Sequence, residues 1–384
     1  MAEQRIPFFK PAISEDDIAA VVETLRSGWL TTGPNVHAFE AELAEYCGAK
    51  YVNAVNSATA AMHLALAAWD IGPGDEVITT PYTFSATATV AIHVGATPVL
   101  VDIREGDFNI DPAQIEAAIT PRTKVIIPVD FGGEPCAMDT IMEIGARRGV
   151  SVLSDAAHSV GSSFLGRPVG TLADATAFSF YATKNMTTGE GGALATDDEM
   201  LSERVRRLTL HGITKDGWDR YAAGGSWRYD IAEFGFKDNL TDLAAALGRR
   251  QLARLDEFNE QRTRIAQRYF ANLRNEEHLI LPGFNEENRR AWHLFVVRVK
   301  NEQSPVQRDQ VIEKLAERGI GTSVHFIPLH YFSAYQKRFG WQPGTFPVSE
   351  RVFEGAISLP LYPEMTDAQV DEVCEALRGI LHPA

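Results

Sequence analysis

Phe178-Ser179-Phe180-Tyr181-Ala182-Thr183-Lys184-Asn185 ends an apolar run, and Gly189-Glu190-Gly191-Gly192 follows it closely. Upstream, Gly149-Val150-Ser151-Val152-Leu153-Ser154 closes on Asp155-Ala156-Ala157-His158. Both stretches read as a short strand that ends in a loop. The lysine therefore stands on a glycine-flanked turn, 29 residues (184 − 155) after a strand-end aspartate. A lone lysine is usually a solvated surface charge. A lysine and an aspartate at strand ends mean more, because open α/β sheets bind ligands outside the carboxyl ends of their strands.

Outward from this stretch the chain alternates. Ser14-Glu15-Asp16-Asp17 opens a helix that runs to about Ser27, where Gly28 stops it, and a second helix ends at Tyr46. Apolar runs at 52–55, 76–79, 97–101, 124–129, 150–154 and 175–180 are strand candidates separated by helical patterns. Their near-continuous apolar character fits strands covered on both faces, and the order strand, helix, strand reads as a parallel sheet between helices. After Thr196 the pattern changes. A helix is expected over 198–210, a Gly/Trp-rich loop passes through Gly224-Gly225-Ser226-Trp227, and one long helix is expected over 241–273, with Leu243, Leu247, Leu252 and Leu255 in a heptad-like row. A strand at 292–299 and helices at 307–317 and 367–380 suggest a smaller α+β domain. The expected division is 1–245 and 246–384.

Composition bounds the rest. A chain of 384 residues is long for one core, so two domains are expected. Its 36 basic and 51 acidic residues give 36 − 51 = −15, which argues against a nucleic-acid partner and against a polybasic membrane anchor. No window is apolar enough for a spanning helix, and Pro7 interrupts the apolar residues near the N-terminus, so neither signal peptide nor anchor is expected. Cys47, Cys136 and Cys374 form no CxxC signature. This points to a reduced, cytoplasmic setting and to no metal site.

The chemistry-bearing residues fall at strand ends. Asn56-Ser57-Ala58-Thr59 follows a strand and opens a helix, where backbone amides and hydroxyls suit an anion; alone, Ser57 reads as an ordinary N-cap. Phe84 has a face for stacking on a flat ring, or for core packing. Asp155 suits a protonated pyridine nitrogen, or a cap. His158 suits a phenolate oxygen, or a packed core position. Ser179 can donate to a phosphate, and Lys184 can form an imine once burial has made it neutral. Chance agreement of the phosphate turn, the aromatic, the Asp and the Lys, in this order, is small. The set points to pyridoxal phosphate (PLP) held as a Schiff base.

With these residues the chain resembles the DegT/DnrJ/EryC1/StrS sugar aminotransferases, which are fold-type-I PLP enzymes. The resemblance also includes Gly28-Trp29-Leu30-Thr31-Thr32-Gly33-Pro34, Gly74-Asp75-Glu76-Val77 and Asn239-Leu240-Thr241-Asp242. It implies an α/β fold, with a large domain built on a mostly parallel seven-stranded sheet and a small C-terminal α+β domain. It implies that Lys184 holds PLP, that Asp155 pairs with the ring nitrogen, that Phe84 stacks, and that Ala58, Thr59 and Ser179 bind the phosphate. It further implies that Asn239 completes the phosphate site of a partner subunit, hence a homodimer with shared active sites. His158 departs from the Gln that many members carry. Leu210-His211-Gly212-Ile213-Thr214-Lys215-Asp216 and Gly235-Phe236-Lys237-Asp238-Asn239 are most similar to the branch that aminates UDP-linked 4-keto sugars, such as UDP-4-amino-4-deoxy-L-arabinose aminotransferases.

On that resemblance, the expected reaction is a ping-pong transfer from L-glutamate, released as 2-oxoglutarate, through pyridoxamine phosphate to a nucleotide-linked keto sugar. Thr31 and His325 are substrate-contact candidates, and the loops 28–34 and 215–228 are expected to shape the pocket. Amination at carbon three of a nucleotide-linked 3-keto sugar is the alternative within the same chemistry, and three rivals outside it are weighed. A PLP-binding regulator would carry a DNA-binding extension. A PLP-dependent sugar dehydratase of the same family would replace Lys184 with histidine. A dinucleotide-binding oxidoreductase would need a GxGxxG that 53–59 does not supply.

Overall fold

The computed structural model describes residues 5–214 and 228–383. The expected helix α1 spans Glu15–Ser27; Ser14 and Asp17 close a capping box at its start, and Gly28 ends it in the left-handed region (φ 77°). Next come α2 (Pro34–Cys47), β1 (Tyr51–Val55), α3 (Ala58–Ala68), β2 (Glu76–Thr79), α4 (Ala86–His93) and β3 (Thr97–Leu100). After them follow α5 (Pro112–Ala118), β4 (Thr123–Ile126), α6 (Met138–Arg148), β5 (Ser151–Asp155), a small hairpin of β6 (Ser163–Phe164) and β7 (Arg167–Pro168), then β8 (Ala175–Ser179) and β9 (Gly192–Thr196).

Seven of these strands form one sheet in the order β1-β9-β8-β5-β4-β2-β3. The β2–β3, β2–β4, β4–β5 and β5–β8 pairs are parallel, and β9 runs antiparallel between β1 and β8. None of the six local strand candidates covers β9, which is the seventh strand that the resemblance implies. Successive strand residues enter opposite cores. Ile78, Ile126 and Val152 pack on one face of the sheet, while Val77, Val125 and Leu153 pack on the other. Both faces are covered, so both sets are apolar, and the runs look continuous in sequence.

The second half holds α7 (Glu199–Thr209), α8 (Asp242–Leu252), α9 (Leu255–Leu273), β10 (Leu279–Ile280), β11 (Phe295–Val299), α10 (Arg308–Glu317), α11 (Ser333–Phe339), α12 (Pro347–Gly355), β12 (Ala356–Leu359) and α13 (Asp367–Leu381). The single helix expected over 241–273 is corrected to two. The helical path breaks at Ala253–Arg254, where Arg254 leaves the helical region (φ −112°, ψ 5°). Its guanidinium there meets Asp17 at 2.5 Å and the Ala12 carbonyl at 3.3 Å. A contact with a buried carboxylate far along the chain outweighs the local heptad pattern.

Ala245, Leu252 and Leu255 pack in a core of the large sheet, whereas Ile265, Ala266 and Tyr269 pack with β11, β12 and α13. Ile6 joins that second core and bridges to Ile320, so the start of the described chain docks on the C-terminal half. The three cysteines are buried and free. Among the described residues no helix is long and apolar enough to cross a membrane.

Candidate active site

The sheet order sets out the site. β5 and β8 lie side by side, so Asp155 at the end of one neighbours Ser179 at the end of the other, with Lys184 in the loop beyond. β1 is one strand further along, beyond β9. Gly192 pairs with Val55 on one side and with Ser179 on the other. A Cβ at Gly192 would lie 2.3 Å from the Ser57 carbonyl carbon and 2.5 Å from the Ala58 nitrogen. Only glycine lets the start of α3 come this close to β8 and β9.

Ser57 caps α3, accepting from the Ala60 amide at 3.1 Å and donating to Asn56 Oδ1 at 3.0 Å. Its hydroxyl is thus engaged locally. The amides of Ala58 and Thr59, in the first turn, have no acceptor within the helix. Ser57, Ala58, Thr59 and Ser179 line one cavity of about 650 Å³. Asp155, His158, Lys184, Phe84 and His325 line the same cavity.

Lys184 is half-buried, and no hydrogen bond or ion pair holds its ammonium among the described residues. Burial pulls its pKa down to about 8, with Asp155 opposing. Asp155 is 5% exposed and accepts from Thr87 Oγ1 at 2.7 Å and from the Ala157 amide at 3.2 Å. Burial raises its pKa, while those two donors and Lys184 resist the rise. The result is an amine that sheds its proton unusually easily, close to a carboxylate fixed by two donors.

His158 Nδ1 accepts from the Gly132 amide at 3.2 Å, which leaves the proton on Nε2. Its ring stacks on Phe326 (5.9 Å, 20°). Burial first, then Lys184 and His325, hold it neutral. His325 pairs Nδ1 with the Ser358 hydroxyl at 2.8 Å, and its carbonyl accepts from Tyr82 Oη at 2.7 Å. Burial, reinforced by Lys184, lowers its pKa to about 4. Phe84 is 65% exposed, so it is a free aromatic face rather than a core residue.

Two expected residues lie elsewhere. Thr31 is exposed and outside the cavity; its carbonyl accepts from the Asp242 amide at 3.2 Å. Asn239 also stands outside the cavity of its own chain, donating to Thr32 Oγ1 at 2.8 Å and accepting from Lys237 Nζ. Of the loop expected over 215–228, only Arg228 falls within the described residues. The sequence reading missed Thr87, His293 and Phe326. Thr87 sits in a helix of small residues, and His293 sits at the head of an apolar run that reads as core.

The donor set suits a group with a phosphate, a flat ring and a carbonyl. Helix-start amides serve an anion, Phe84 offers a ring face, and a carboxylate and a near-neutral amine stand beside one another. These are the features of a fold-type-I PLP enzyme. Residues 11–378 match the DegT/DnrJ/EryC1/StrS aminotransferase family, and the chain belongs to it. It is 50% identical over 380 residues to the spore coat polysaccharide biosynthesis protein SpsC of Bacillus subtilis, covering 99% of this chain and 98% of that one. The fold is similar to the putative sugar aminotransferase Spr1654 from Streptococcus pneumoniae in its PMP form, with TM-score 0.92, 37% identity and coverage of 98% and 99%. S. venezuelae DesV, solved with a ketimine intermediate, is similar at TM-score 0.90 and 34% identity, covering 99% of each chain. The protein is a PLP-dependent sugar aminotransferase.

Proposed function

We propose that this enzyme moves an amino group from L-glutamate to a nucleotide-linked 4-keto sugar, with UDP as the nucleotide. The product is a 4-amino sugar for a surface polysaccharide. The observation that carries the chemistry is Lys184, an amine without a partner among the described residues, brought down to about pKa 8 beside the buried Asp155. The name of the SpsC relative supports a polysaccharide role.

When bound, the cofactor supplies a carbonyl for amines to condense with and an electron-withdrawing ring. Lys184 would anchor it and, once displaced, would hold and move the proton at its own Nζ. Asp155, oriented by Thr87 and the Ala157 amide, would pair with the ring nitrogen. His158 would donate from Nε2 to the phenolate oxygen. Phe84 would offer its face to the ring, and Ala58, Thr59 and Ser179 would receive the phosphate, with Ser57 shaping the turn. His325 would contact the sugar nucleotide.

The same reading makes the enzyme a cytoplasmic homodimer in which Asn239 reaches the partner's phosphate site. Phe234, 97% exposed close to Asn239, supports a covering subunit. It also divides the chain into a large and a small domain, and the change of core along α9 favours a boundary later than residue 245.

The test is a panel of nucleotide keto sugars mixed with the pyridoxamine form, monitored for the return of the visible cofactor band. UDP-4-keto sugars should restore it fastest. A faster return with 3-keto sugars, or with another nucleotide, overturns the substrate assignment.

A further inference from the structure

His293 is 6% exposed and forms part of the cavity wall, with its ring centroid 4.4 Å from that of His158. Neither ring nitrogen has a hydrogen-bond partner among the described residues; Nδ1 is shielded from solvent, so Nε2 is the nitrogen that a ligand can meet. Its neighbours differ. His158 Nδ1 is held by the Gly132 amide, and His325 Nδ1 by the Ser358 hydroxyl. Proteins pair nearly all their buried polar atoms, so an unpaired imidazole in a ligand cavity marks a place where a ligand supplies the partner.

Charge indicates which ligand. Among the described residues lining the cavity there is no arginine, and Lys184 is the one lysine. Lys184 must shed its proton to act, so it cannot also serve as a standing counter-charge. An acidic amino donor brings carboxylates into this space, and among the described lining residues the imidazoles are the remaining groups that can become cations. Burial comes first in holding His293 neutral, then repulsion from His158, Lys184, Arg262 and His325. The largest of the charge influences come from basic side chains; Asp155 and Glu190 also line the cavity. A carboxylate arriving beside it reverses that balance.

We propose that His293 anchors a carboxylate of the amino donor and takes up a proton as that carboxylate enters. The proton comes from solvent, and no covalent bond changes. Binding of the donor is coupled to proton uptake. Departure of the keto acid returns the proton and leaves a neutral wall for the sugar. This inference rests on the aminotransferase reading of the same cavity.

The probe is glutarate, a five-carbon dicarboxylate with no amino group, titrated by calorimetry into the PLP-loaded enzyme. Two buffers of different protonation heat are used, near neutral pH. Wild type should take up a large part of one proton per glutarate. His293→Gln cannot be protonated; it should keep its cofactor, bind glutarate about tenfold more weakly and lose the uptake. If that variant fails to fold, the smaller His293→Asn is read the same way. The proposal is overturned by wild-type enzyme that binds no glutarate or takes up no proton, or by a variant with unchanged affinity and uptake. Failure of borohydride to fix the cofactor to Lys184 in wild type would instead overturn the reading of the cavity.

Discussion

The cavity is lined by two sets of residues held in place by different means. Asp155, Ser179 and Lys184, with the start of α3, hang from strand ends of one seven-stranded sheet, where ladder pairing fixes their spacing. His293, His325 and Phe326 come from the C-terminal half and are held by single side-chain bonds and ring contacts, such as His325 to Ser358 and His158 to Phe326. The first set suits chemistry, which needs fixed geometry. The second suits recognition, where ring packing can adjust to different substrates.

If that division holds, changes on the sheet side should remove reaction, and changes on the other side should alter substrate affinity with the cofactor retained. Lys184→Ala should cost the most, about 10,000-fold or more in turnover, since one residue is both anchor and proton carrier. Borohydride should then fix no cofactor to the chain; a fixed adduct in that variant would break the comparison at its centre. The wild-type apoenzyme should capture cofactor faster as pH rises, because the neutral amine is the nucleophile. The rate should level off above about pH 8, where Lys184 is deprotonated; a climb continuing towards 10.5 would mean an ordinary lysine.

Asp155→Asn should keep the cofactor and lose about 100- to 1,000-fold in kcat, the scale of one electrostatic group removed from a reacting centre. A near-normal kcat would remove Asp155 from the chemistry. His325→Gln tests the other set. It should raise KM for the sugar nucleotide about tenfold through one lost contact, with cofactor absorbance unchanged. Loss of cofactor from this variant would erase the distinction between the two sets.

The same division explains what was legible in sequence. Asp155, Ser179 and Lys184 stand where an apolar run ends and glycines begin, so local pattern locates them. Gly192 could be seen as a glycine, but its reason, the start of α3 pressed against β9, exists only in three dimensions. His293 precedes β11 by two residues and looks like the start of a core strand; its unpaired nitrogens depend on what the sheet side places opposite it. The break between α8 and α9 was hidden likewise, because Arg254 is drawn out of the helix by Asp17. Thr31 and Asn239 were singled out by resemblance, and in the single chain they bond to the segments 239–242 and 32–33 rather than to the cavity.

The smallest predicted effect probes how the sheet side tunes itself. Thr87 was invisible in sequence, yet its hydroxyl is 2.7 Å from Asp155 Oδ2 and 2.9 Å from Thr83 Oγ1. Thr87→Val preserves shape and removes that donor, leaving the Ala157 amide alone on the buried carboxylate. The hydrogen bond favours the ionised form, so its loss moves the Asp155 pKa further up. Burial has already raised that pKa. The acidic limb of kcat/KM should therefore move to higher pH. Turnover at neutral pH should fall only about threefold, because the carboxylate itself is kept and one of its two donors remains. An unmoved acidic limb would show that the aspartate is tuned by the cofactor alone, and that Thr87 contributes packing and nothing more.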